Sequence, residues 1–449
     1  MSESKNHSPS LSPGDDLANS STWAEVEDPR NGFGLNHLPY GAFRKDGTTR
    51  LCVRIGERLL NLAGCVGDGL FDSLSAGVRN ACSQPTLNPL LALGPQSWTA
   101  LRDRIQSILG NAATVVVKTK AARHLHLVRE SDLVLPIAVG NYTDFYASLH
   151  HARRVGEIFR PDNPLLPNYK YVPIGYHGRA SSLVVSGTGI RRPWGQSRPR
   201  HEGAAPNFAP SAALDYEVEL ALIVGQGNPL GEPIPIAEAA QHLFGVALLN
   251  DWSARDIQAW EYQPLGPFLG KSFATTLAPW ITPLAALEPF RAPALPRPTG
   301  DPQPLPYLYD EADQANGAYD IRVSATITTS ASRAAGTEPM SLSETNARGL
   351  YWTPAQLVAH HASNGCNLQS GDMLATGTLS GAEVESAGCL LERTRNGAKP
   401  LQLPNGEERS WLADGDELTL TAFCERPGRL AIELGSCVGR IVAAIPPRA

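Results

Sequence analysis

Several familiar patterns are missing from this 449-residue chain, and each absence excludes a class of protein. The seven cysteines are odd in number and include no CxxC pair. They argue against a disulfide framework or a zinc site and favour a reducing, cytoplasmic compartment. No apolar run is long enough to span a bilayer, and the first residues lack the pattern of a secretory signal. GxSxG is absent, which excludes a nucleophile elbow, and no glycine loop precedes the helix start that phosphate binding needs.

Charge is also scarce. Charged residues make up only 18% of the chain, and the formal net charge is −6. Neither nucleic acid nor a membrane surface is therefore an expected partner. Because the overall charge does not attract anions, a site for an acidic substrate must be built from a few local cations.

The length predicts two domains, and the 41 glycines and 37 prolines favour strands joined by many turns. Residues 1–25, rich in Ser, Asn, Asp, Gly and Pro, predict a disordered tail. Residues 26–130 predict a small β domain with helices near 87–93 and 97–109. Residues 131–449 are predicted to form the larger domain.

The larger domain is predicted to be mostly β with some α, with a mixed, largely antiparallel sheet. Short apolar runs predict strands at 184–186, 218–224, 245–249, 321–327, 373–376, 417–423 and 441–444. Helices are predicted at 144–155, 253–262 and 353–363. Composition predicts long surface loops at 288–318 and 329–347.

The segment 250–262 carries the densest set of polar side chains. It follows an apolar run that predicts a buried strand, so Asp251 is expected at the strand end. Ser253 is the predicted N-cap of a helix. One face of that helix then presents a guanidinium, an amide and a phenol, from Arg255, Gln258 and Tyr262. A solvated helix face is the simpler explanation, but the flanking tryptophans and Pro/Gly-rich residues indicate a covered site that suits a metal ion and an anionic ligand.

Glu217 and Glu219 form a second polar pair, within an otherwise apolar run. On a strand both side chains point to one face, roughly 7 Å apart, where like charges repel unless a cation lies between them. An exposed strand would also explain the pair. The alternative is a hard cation such as Mg²⁺ or Ca²⁺, with Asp251 as a third ligand.

A polar segment at 139–154 supplies a possible fourth acid and a base. A helix from Asp144 onward would place Asp144 and His151 on one side, two turns or about 10 Å apart. That gap leaves room for a substrate between a metal on Asp144 and a base at His151. The residues alone leave His150 and His151 equally plausible, and a surface histidine pair is the alternative.

Other polar residues are weak signals when taken singly, because loops are rich in them. They supply a cation, a phenol, a lysine after a turn, a loop with free N–H groups and a carboxylate, at Arg160, Tyr176, Lys271, 375–381 and Glu392.

Several long blocks of the sequence resemble the fumarylacetoacetate hydrolase family. They include NHLPYGAF, NYTDFY, VPIGYHGRASSLVVSGTGIRRPWGQ, NDWSARDIQAWEYQPLGPFLGKSF and ATGTLSGAE, and the similarity runs from about residue 33 to 445. The resemblance implies an N-terminal SH3-like barrel, a C-terminal β-roll-type catalytic domain and a homodimer. It further implies hydrolysis of 4-fumarylacetoacetate, a dicarboxylate β-diketone, to fumarate and acetoacetate in the last step of tyrosine and phenylalanine breakdown.

The family pattern also implies roles for individual residues. A divalent cation, Mg²⁺ or Ca²⁺, with no organic cofactor, would be held by Asp144, Glu217, Glu219 and Asp251. The pattern selects His151 as the catalytic base, with Glu392 behind it. Developing negative charge would be stabilised by Arg255, Gln258 and Lys271. The substrate would be bound by Tyr146, Arg160, Gln258, Tyr262 and Thr378, and Tyr176 is a further candidate. A second cation is implied near Lys271 and Thr275, where a backbone carbonyl must serve because a protonated ammonium cannot ligate.

Two other functions stay open at this point. A related reaction, such as acylpyruvate hydrolysis, 2-oxo acid decarboxylation or keto–enol isomerisation, would use the same acids. It would not need Arg255, Gln258 and His151 together. The second alternative is a non-catalytic metal-binding or scaffold protein, which the complete polar set disfavours.

Overall fold

The computed structural model describes residues 21–24, 32–199 and 201–446. The predicted disordered tail therefore lies outside the described residues, except at 21–24. There the hydroxyl of Thr22 donates to the carbonyl of Leu109 at 2.6 Å, and the Trp23 indole donates to that of Ile108 at 2.8 Å.

Strands occur along the described residues from residue 40 to residue 442. In chain order they are β1 Tyr40–Lys45, β2 Thr48–Ile55, β3 Arg58–Asn61, β4 Leu125–Leu127, β5 Leu133–Val134, β6 Tyr142–Phe145, β7 Gly175–Gly178, β8 Leu183–Val185, β9 Gly189–Arg191, β10 Trp194–Ser197, β11 Asn207–Pro210, β12 Leu214–Asp215, β13 Val218–Val224, β14 Leu243–Asp251, β15 Ser253–Ala254, β16 Thr275–Leu277, β17 Thr282–Pro283, β18 Arg291–Ala292, β19 Ala318–Tyr319, β20 Arg322–Thr328, β21 Met340–Asn346, β22 Met373–Ala375, β23 Leu401–Gln402, β24 Glu408–Arg409, β25 Glu417–Cys424 and β26 Ile432–Val442.

The α-helices are short and lie between the strands. They are α1 Leu62–Gly67, α2 Ala76–Cys82, α3 Asn88–Leu91, α4 Pro95–Leu109, α5 Val115–Ala122, α6 Leu149–Phe159, α7 Ile236–Ala239, α8 Arg255–Glu261, α9 Leu284–Leu287, α10 Glu311–Asn316, α11 Ser330–Ala335, α12 Pro354–Ala362 and α13 Leu390–Arg393. None of the helices within the described ranges is long and apolar enough to cross a membrane.

The N-terminal part is built on an antiparallel sheet in the order β4-β3-β2-β1-β5. Helix α4 packs its apolar stripe into the same core, since Leu101 and Ile105 lie four residues apart and are both buried. Closure of this sheet into an SH3-like barrel stays a prediction, as does a domain boundary at residue 130. Strand β5 pairs with β1 although it follows that residue.

The central sheet has the order β7-β6-β22-β13-β14-β16-β8, with β17 also paired to β14. The β6–β22 and β8–β16 pairs are parallel and the other pairs are antiparallel. A third sheet, in the order β21-β20-β25-β26-β9, shares a hydrophobic core with the central sheet. The predicted mixed and mostly antiparallel architecture is confirmed.

One face of the central sheet is divided into an apolar part and a polar end. On β13, Ala221 and Ile223 pack into the core of the N-terminal part, and Glu219 lies on the same face by the two-residue alternation of a strand. On the antiparallel β14, Leu249 enters that core and Asp251 follows at the strand end. The two carboxylates therefore meet at the same end of the sheet. The alternate residues of β13, such as Leu220 and Leu222, enter the core shared with the third sheet.

One sequence prediction is wrong in this region and another is only partly right. The predicted loop at 329–347 contains α11 and β21 instead. Strand β21 pairs with β20, and Leu342, Ser343 and Thr345 are buried against the sheet despite their largely polar composition. The predicted strand at 441–444 is the end of the longer β26.

Candidate active site

Four carboxylates converge at the polar end of the central sheet. Asp144 lies on β6, Glu217 immediately precedes β13, Glu219 lies on β13, and Asp251 ends β14. One oxygen of each lies within 4.8 Å of the others, and all four side chains are buried. The sequence predicted these four acids from separate segments, and the structure brings them together.

The predicted helix from Asp144 onward is wrong. Asp144 pairs with Tyr176 on β7 and with Ala375 on β22, so this residue belongs to the sheet. The β-favouring Tyr142 and Thr143 precede it, and the helix begins only after Ser148, whose hydroxyl caps α6. Asp144 and His151 therefore face the cavity from a strand and a helix and not from one helix face.

Two of the four acids, Glu217 and Asp251, pair with basic side chains. Lys271 Nζ contacts Asp251 Oδ2 at 2.7 Å and also contacts Glu217, and Arg255 Nη2 lies 2.8 Å from Glu217 Oε1. Burial alone would raise the pKa of Glu217, but Lys271 and Arg255 outweigh it and lower that pKa. Glu217 therefore remains ionised.

The other two acids lack such partners among the described residues. Asp144 Oδ1 and both carboxylate oxygens of Glu219 are buried and accept no hydrogen bond. Burial and then the charge of Asp251 raise the pKa of Asp144 to about 8. Burial and the charges of Asp144 and Glu217 raise the pKa of Glu219. Unpartnered carboxylate oxygens in this geometry fit a hard divalent cation.

Asp251 is held in place by two further groups. The Tyr176 hydroxyl donates to its Oδ2 at 3.0 Å, and the Thr275 hydroxyl donates to its Oδ1 at 2.7 Å. Thr275 lies on β16 directly opposite Asp251. Both hydroxyls therefore fix the carboxylate orientation at the sheet end.

His151 lies in the first turn of α6 and is bonded to a buried glutamate. Its Nδ1 lies 2.6 Å from Glu392 Oε1, and both residues are only 3% exposed. Burial alone would raise the pKa of Glu392, but His151 and the Ser380 hydroxyl at 2.7 Å lower it to about 2. His151 lines the cavity, whereas the neighbouring His150 is half-buried and is not part of its wall.

Sequence reasoning missed several residues that support this pair. Arg154 Nη1 donates to Glu392 Oε2 at 3.1 Å, and the Cys389 thiol donates to Glu392 Oε1 at 3.3 Å. Arg154 lies three residues after His151, a spacing that places both on one helix face and could have drawn notice. Ser380 lies in the loop 375–381 and Cys389 lies three residues before Glu392, but nothing in the sequence indicates that either one bonds this carboxylate.

A cavity of about 1080 Å³ opens onto both the carboxylates and the histidine. The implied substrate residues on its wall are Tyr146, Arg160, Tyr176, Gln258, Tyr262 and Thr378. Arg255 and Lys271 also line it, while Asp251, Thr275 and Glu392 lie behind the lining residues. The structure thus brings together the residues for which the family resemblance implied a role, and leaves His150 outside the cavity wall.

Helix α8 presents Arg255, Gln258 and the following Tyr262 to the cavity, as the predicted helix face requires. The predicted N-cap is wrong, because Ser253 lies in β15 and the helix begins at Arg255 without a side-chain cap. The pairing of β15 with β12 keeps Ser253 extended. Arg255 Nη1 donates to Gln258 Oε1 at 3.1 Å, which leaves the amide N–H groups of Gln258 for other partners.

Two family models match this chain. The model described as Fumarylacetoacetase N-terminal matches residues 36–136, and the model described as Fumarylacetoacetate (FAA) hydrolase C-terminal matches residues 141–442. Together they define a two-part hydrolase-family chain whose C-terminal part contains the candidate site.

Curated proteins from plants and animals are similar over nearly the whole length. The fumarylacetoacetase of Arabidopsis thaliana is 46% identical over 419 residues, with 92% of this chain and 96% of the relative covered. That of Oryza sativa subsp. japonica is 46% identical, with 93% and 96% covered. That of Homo sapiens is 43% identical, with 92% and 97% covered. The chain belongs to the fumarylacetoacetate hydrolase family.

Proposed function

We propose that this enzyme hydrolyses the carbon–carbon bond of 4-fumarylacetoacetate to fumarate and acetoacetate, the last step of tyrosine and phenylalanine breakdown. One observation carries the proposal. Four convergent carboxylates, a histidine–glutamate pair and the buried basic side chains of Arg255 and Lys271 lie at one cavity. The family membership and the names of the similar proteins support the same reaction.

The carboxylates of Asp144, Glu217, Glu219 and Asp251 would hold the divalent cation, Mg²⁺ or Ca²⁺. The unpartnered oxygens of Asp144 and Glu219 fit it, since hard cations prefer oxygen ligands. When bound, the cation would polarise the dicarbonyl as a Lewis acid and stabilise enolate charge.

His151 is the proposed general base. Its Nδ1 is engaged by Glu392, so Nε2 is the nitrogen that takes the proton from water. The ionised Glu392 stabilises the imidazolium that forms and holds the ring orientation. The resulting hydroxide attacks a substrate carbonyl carbon, and the later collapse of the tetrahedral species breaks the carbon–carbon bond. The enolate leaving group is then protonated to give acetoacetate.

The tetrahedral oxyanion is proposed to lie against Arg255, Gln258 and Lys271. Each lines the cavity and has a donor left over from its contacts within the protein. Lys271, for example, directs two of its three N–H groups to acids, which leaves one for the cavity. Such a donor typically contributes about 3 kcal/mol to transition-state stabilisation.

The carboxylates at the two ends of the substrate need local cations and hydroxyl donors. Arg160 lines the cavity, and its buried Nε has no partner among the described residues. We propose that Arg160, with the phenols of Tyr146 and Tyr262 and the hydroxyl of Thr378, binds these groups. The Tyr146 ring packs edge-to-face on His151, with ring centroids 5.1 Å apart. A proposed substrate-binding residue therefore lies next to the proposed base.

A homodimer, a cytoplasmic location and a second cation near Lys271 and Thr275 are further proposals. The carboxylates of Asp251 and Glu217 outweigh burial and raise the pKa of Lys271, so its ammonium stays protonated. Only a backbone carbonyl of that residue could then ligate a metal.

Light scattering tests the dimer, and a mass equal to one chain would contradict it.

The reaction is tested by incubating the purified enzyme with Mg²⁺ or Ca²⁺ and a panel of acids. The panel contains 4-fumarylacetoacetate, an acylpyruvate, a 2-oxo acid and a keto–enol pair, and products are measured by chromatography. We expect equal amounts of fumarate and acetoacetate and the highest kcat/KM for 4-fumarylacetoacetate. A preference for the acylpyruvate would reject the proposal, and no turnover of any compound would favour a non-catalytic metal-binding protein.

Glu392→Gln is expected to lower kcat by about 100-fold or more, with a much smaller rise in KM. The amide retains the shape of the side chain, but it cannot stabilise the imidazolium. A matched control is Asp68→Asn, since Asp68 accepts from His124 at 3.0 Å away from the cavity and its loss should leave kcat unchanged. An effect mainly on KM would instead assign Glu392 to binding.

The same variant should also change the pH dependence of stability. The folded pKa of Glu392, about 2, lies below its ordinary value of 4.5. Its contacts therefore stabilise the fold fully above pH 4.5, and that stabilisation is lost as the pH falls towards 2. The Tm difference between wild type and Glu392→Gln should narrow over this range. A constant difference would show that the carboxylate charge is not responsible.

A further inference from the structure

Asp215 is a buried carboxylate with no role in the reaction described above. It is 0% exposed, ends β12 and does not line the cavity. Its Oδ1 accepts from the backbone N–H of Tyr216 at 2.8 Å and of Leu390 at 2.7 Å. Its Oδ2 accepts from the N–H of Leu391 at 3.0 Å and from Arg255 Nε at 2.9 Å. Both oxygens therefore accept two hydrogen bonds each.

The hydrogen bond from Nε to Asp215 orients Arg255. With Nε held by Asp215, Nη2 pairs with Glu217 at 2.8 Å and Nη1 donates to Gln258 at 3.1 Å. Two hydrogen bonds and one ion pair fix the orientation of this planar guanidinium, which sets what its remaining donors face.

The second set of contacts fixes the start of α13. Leu390 and Leu391 open this short helix, and the next residue is Glu392, which bonds His151. The backbone that carries Glu392 is thus tied to the same carboxylate as the guanidinium of Arg255. No other acid among the described residues bonds both Arg255 and this helix.

We propose that Asp215 is a positioning residue that fixes Arg255 and the His151–Glu392 pair relative to one another. The oxyanion donor must reach the oxygen of the attacked carbonyl while the base directs water to its carbon, so the separation of the two groups decides how well both can engage the substrate. This inference rests on the proposed function, because the roles of Arg255 and His151 come from it.

The matched control is Asp416, a buried aspartate of similar bonding away from the site. It accepts from Arg409 Nε at 2.9 Å and from the backbone N–H of Ala413 at 2.8 Å, and neither Asp416 nor Arg409 lines the cavity. Asp215→Asn and Asp416→Asn each exchange an acceptor oxygen for an N–H group that faces donors. Both should lower Tm, so any difference in kinetics reports position and not stability.

The expected result is a fall in kcat of about 10- to 100-fold per folded molecule for Asp215→Asn alone, with KM changed by less than about threefold. The folded fraction is measured by circular dichroism at the assay temperature. Equal kcat values for the two variants, within about twofold, would overturn the proposal. If Asp215→Asn does not fold, Asp215→Glu replaces it. That variant keeps the charge but displaces the carboxylate by one methylene, and a wild-type kcat would again overturn the proposal.

A double-mutant cycle separates positioning from a general loss of packing. In the Glu392→Gln and Arg255→Lys backgrounds, Asp215→Asn should lose most of its effect on kcat, because the group it positions is already impaired. The same fold-loss in every background would show a merely structural role. The activity of the wild-type enzyme tests the proposed function separately from the role of Asp215. Failure of the wild type on 4-fumarylacetoacetate would reject the proposed function, and the cycle would then use the diketo acid that it does cleave.

Discussion

His151→Ala is expected to lower kcat by about 10²- to 10⁴-fold, the range typical of a lost general base. The ring nitrogen that accepts the proton from water disappears, and Glu392 then faces a void in place of its 2.6 Å partner. Product binding and cation binding should be nearly unchanged, because the substrate residues and the four carboxylates remain. Steady-state kinetics, together with metal analysis and fumarate binding by calorimetry, would measure all three.

His150→Ala provides the matched control for this prediction. His150 lies beside His151 in α6 but does not line the cavity. Its loss removes the same ring from the same helix turn and should leave kcat within about twofold of wild type, as for ordinary surface changes. If His151→Ala keeps most of its kcat, or if His150→Ala is the inactive variant, the base has been assigned wrongly.

Glu219→Gln should abolish tight cation binding and activity without weakening the metal-free fold. The carboxylate is fully buried, and neither oxygen accepts a hydrogen bond among the described residues. In the absence of metal its charge is opposed by burial and by Asp144, Glu217 and Asp251. A neutral amide removes that repulsion and can donate to Asp144. When a chelator keeps both proteins free of metal, the Tm of the variant should therefore equal or exceed that of wild type.

The affinity for Mg²⁺ or Ca²⁺ should fall by more than about 100-fold, since loss of a residue that merely supports a ligand already costs roughly 10- to 100-fold. Calorimetric titration measures this directly. Stoichiometric cation still bound to Glu219→Gln would show that Glu219 is not a ligand.

Asp251→Asn is the informative contrast. Asp251 accepts from Lys271, Tyr176 and Thr275 even without metal. Asparagine removes one of the two carboxylates that the buried Lys271 ammonium contacts, and breaking such a buried pair typically costs about 3–5 kcal/mol. Both variants should therefore lose the cation, while only Asp251→Asn should lower the Tm in chelator. Equal Tm losses would contradict the assignment of different metal-free environments.

Local sequence patterns were sufficient to predict the conformation of some parts of the site but not of others. The alternation of Glu217 and Glu219 with apolar residues predicted one strand face, and the apolar run before Asp251 predicted its strand end. Both are properties of neighbouring residues, which a sequence displays directly. Asp144 was placed on a helix because its segment is short and ambiguous. Its pairing with β7 and β22, distant in the chain, decides the conformation.

Residues whose importance depends on distant partners could not be read from the sequence. Asp215 precedes Glu217 by two residues, yet nothing nearby indicates that it bonds Leu390, Leu391 and Arg255. The choice between His150 and His151 likewise needed Glu392, 241 residues further along the chain than His151. The family resemblance supplied that choice, and the structure shows the contact that explains it.

The division of one sheet face between carboxylates and alkyl groups has a consequence for errors of strand pairing. A slip of one residue on β13 would turn Glu219 towards the third sheet and bring Leu220 to the cation ligand position. The same slip would expose Ile223 on the wrong side and remove it from the N-terminal core. A chain with the wrong strand register would thus lose both its core packing and its cation-binding site. Binding of the cation can therefore report whether the chain has folded correctly.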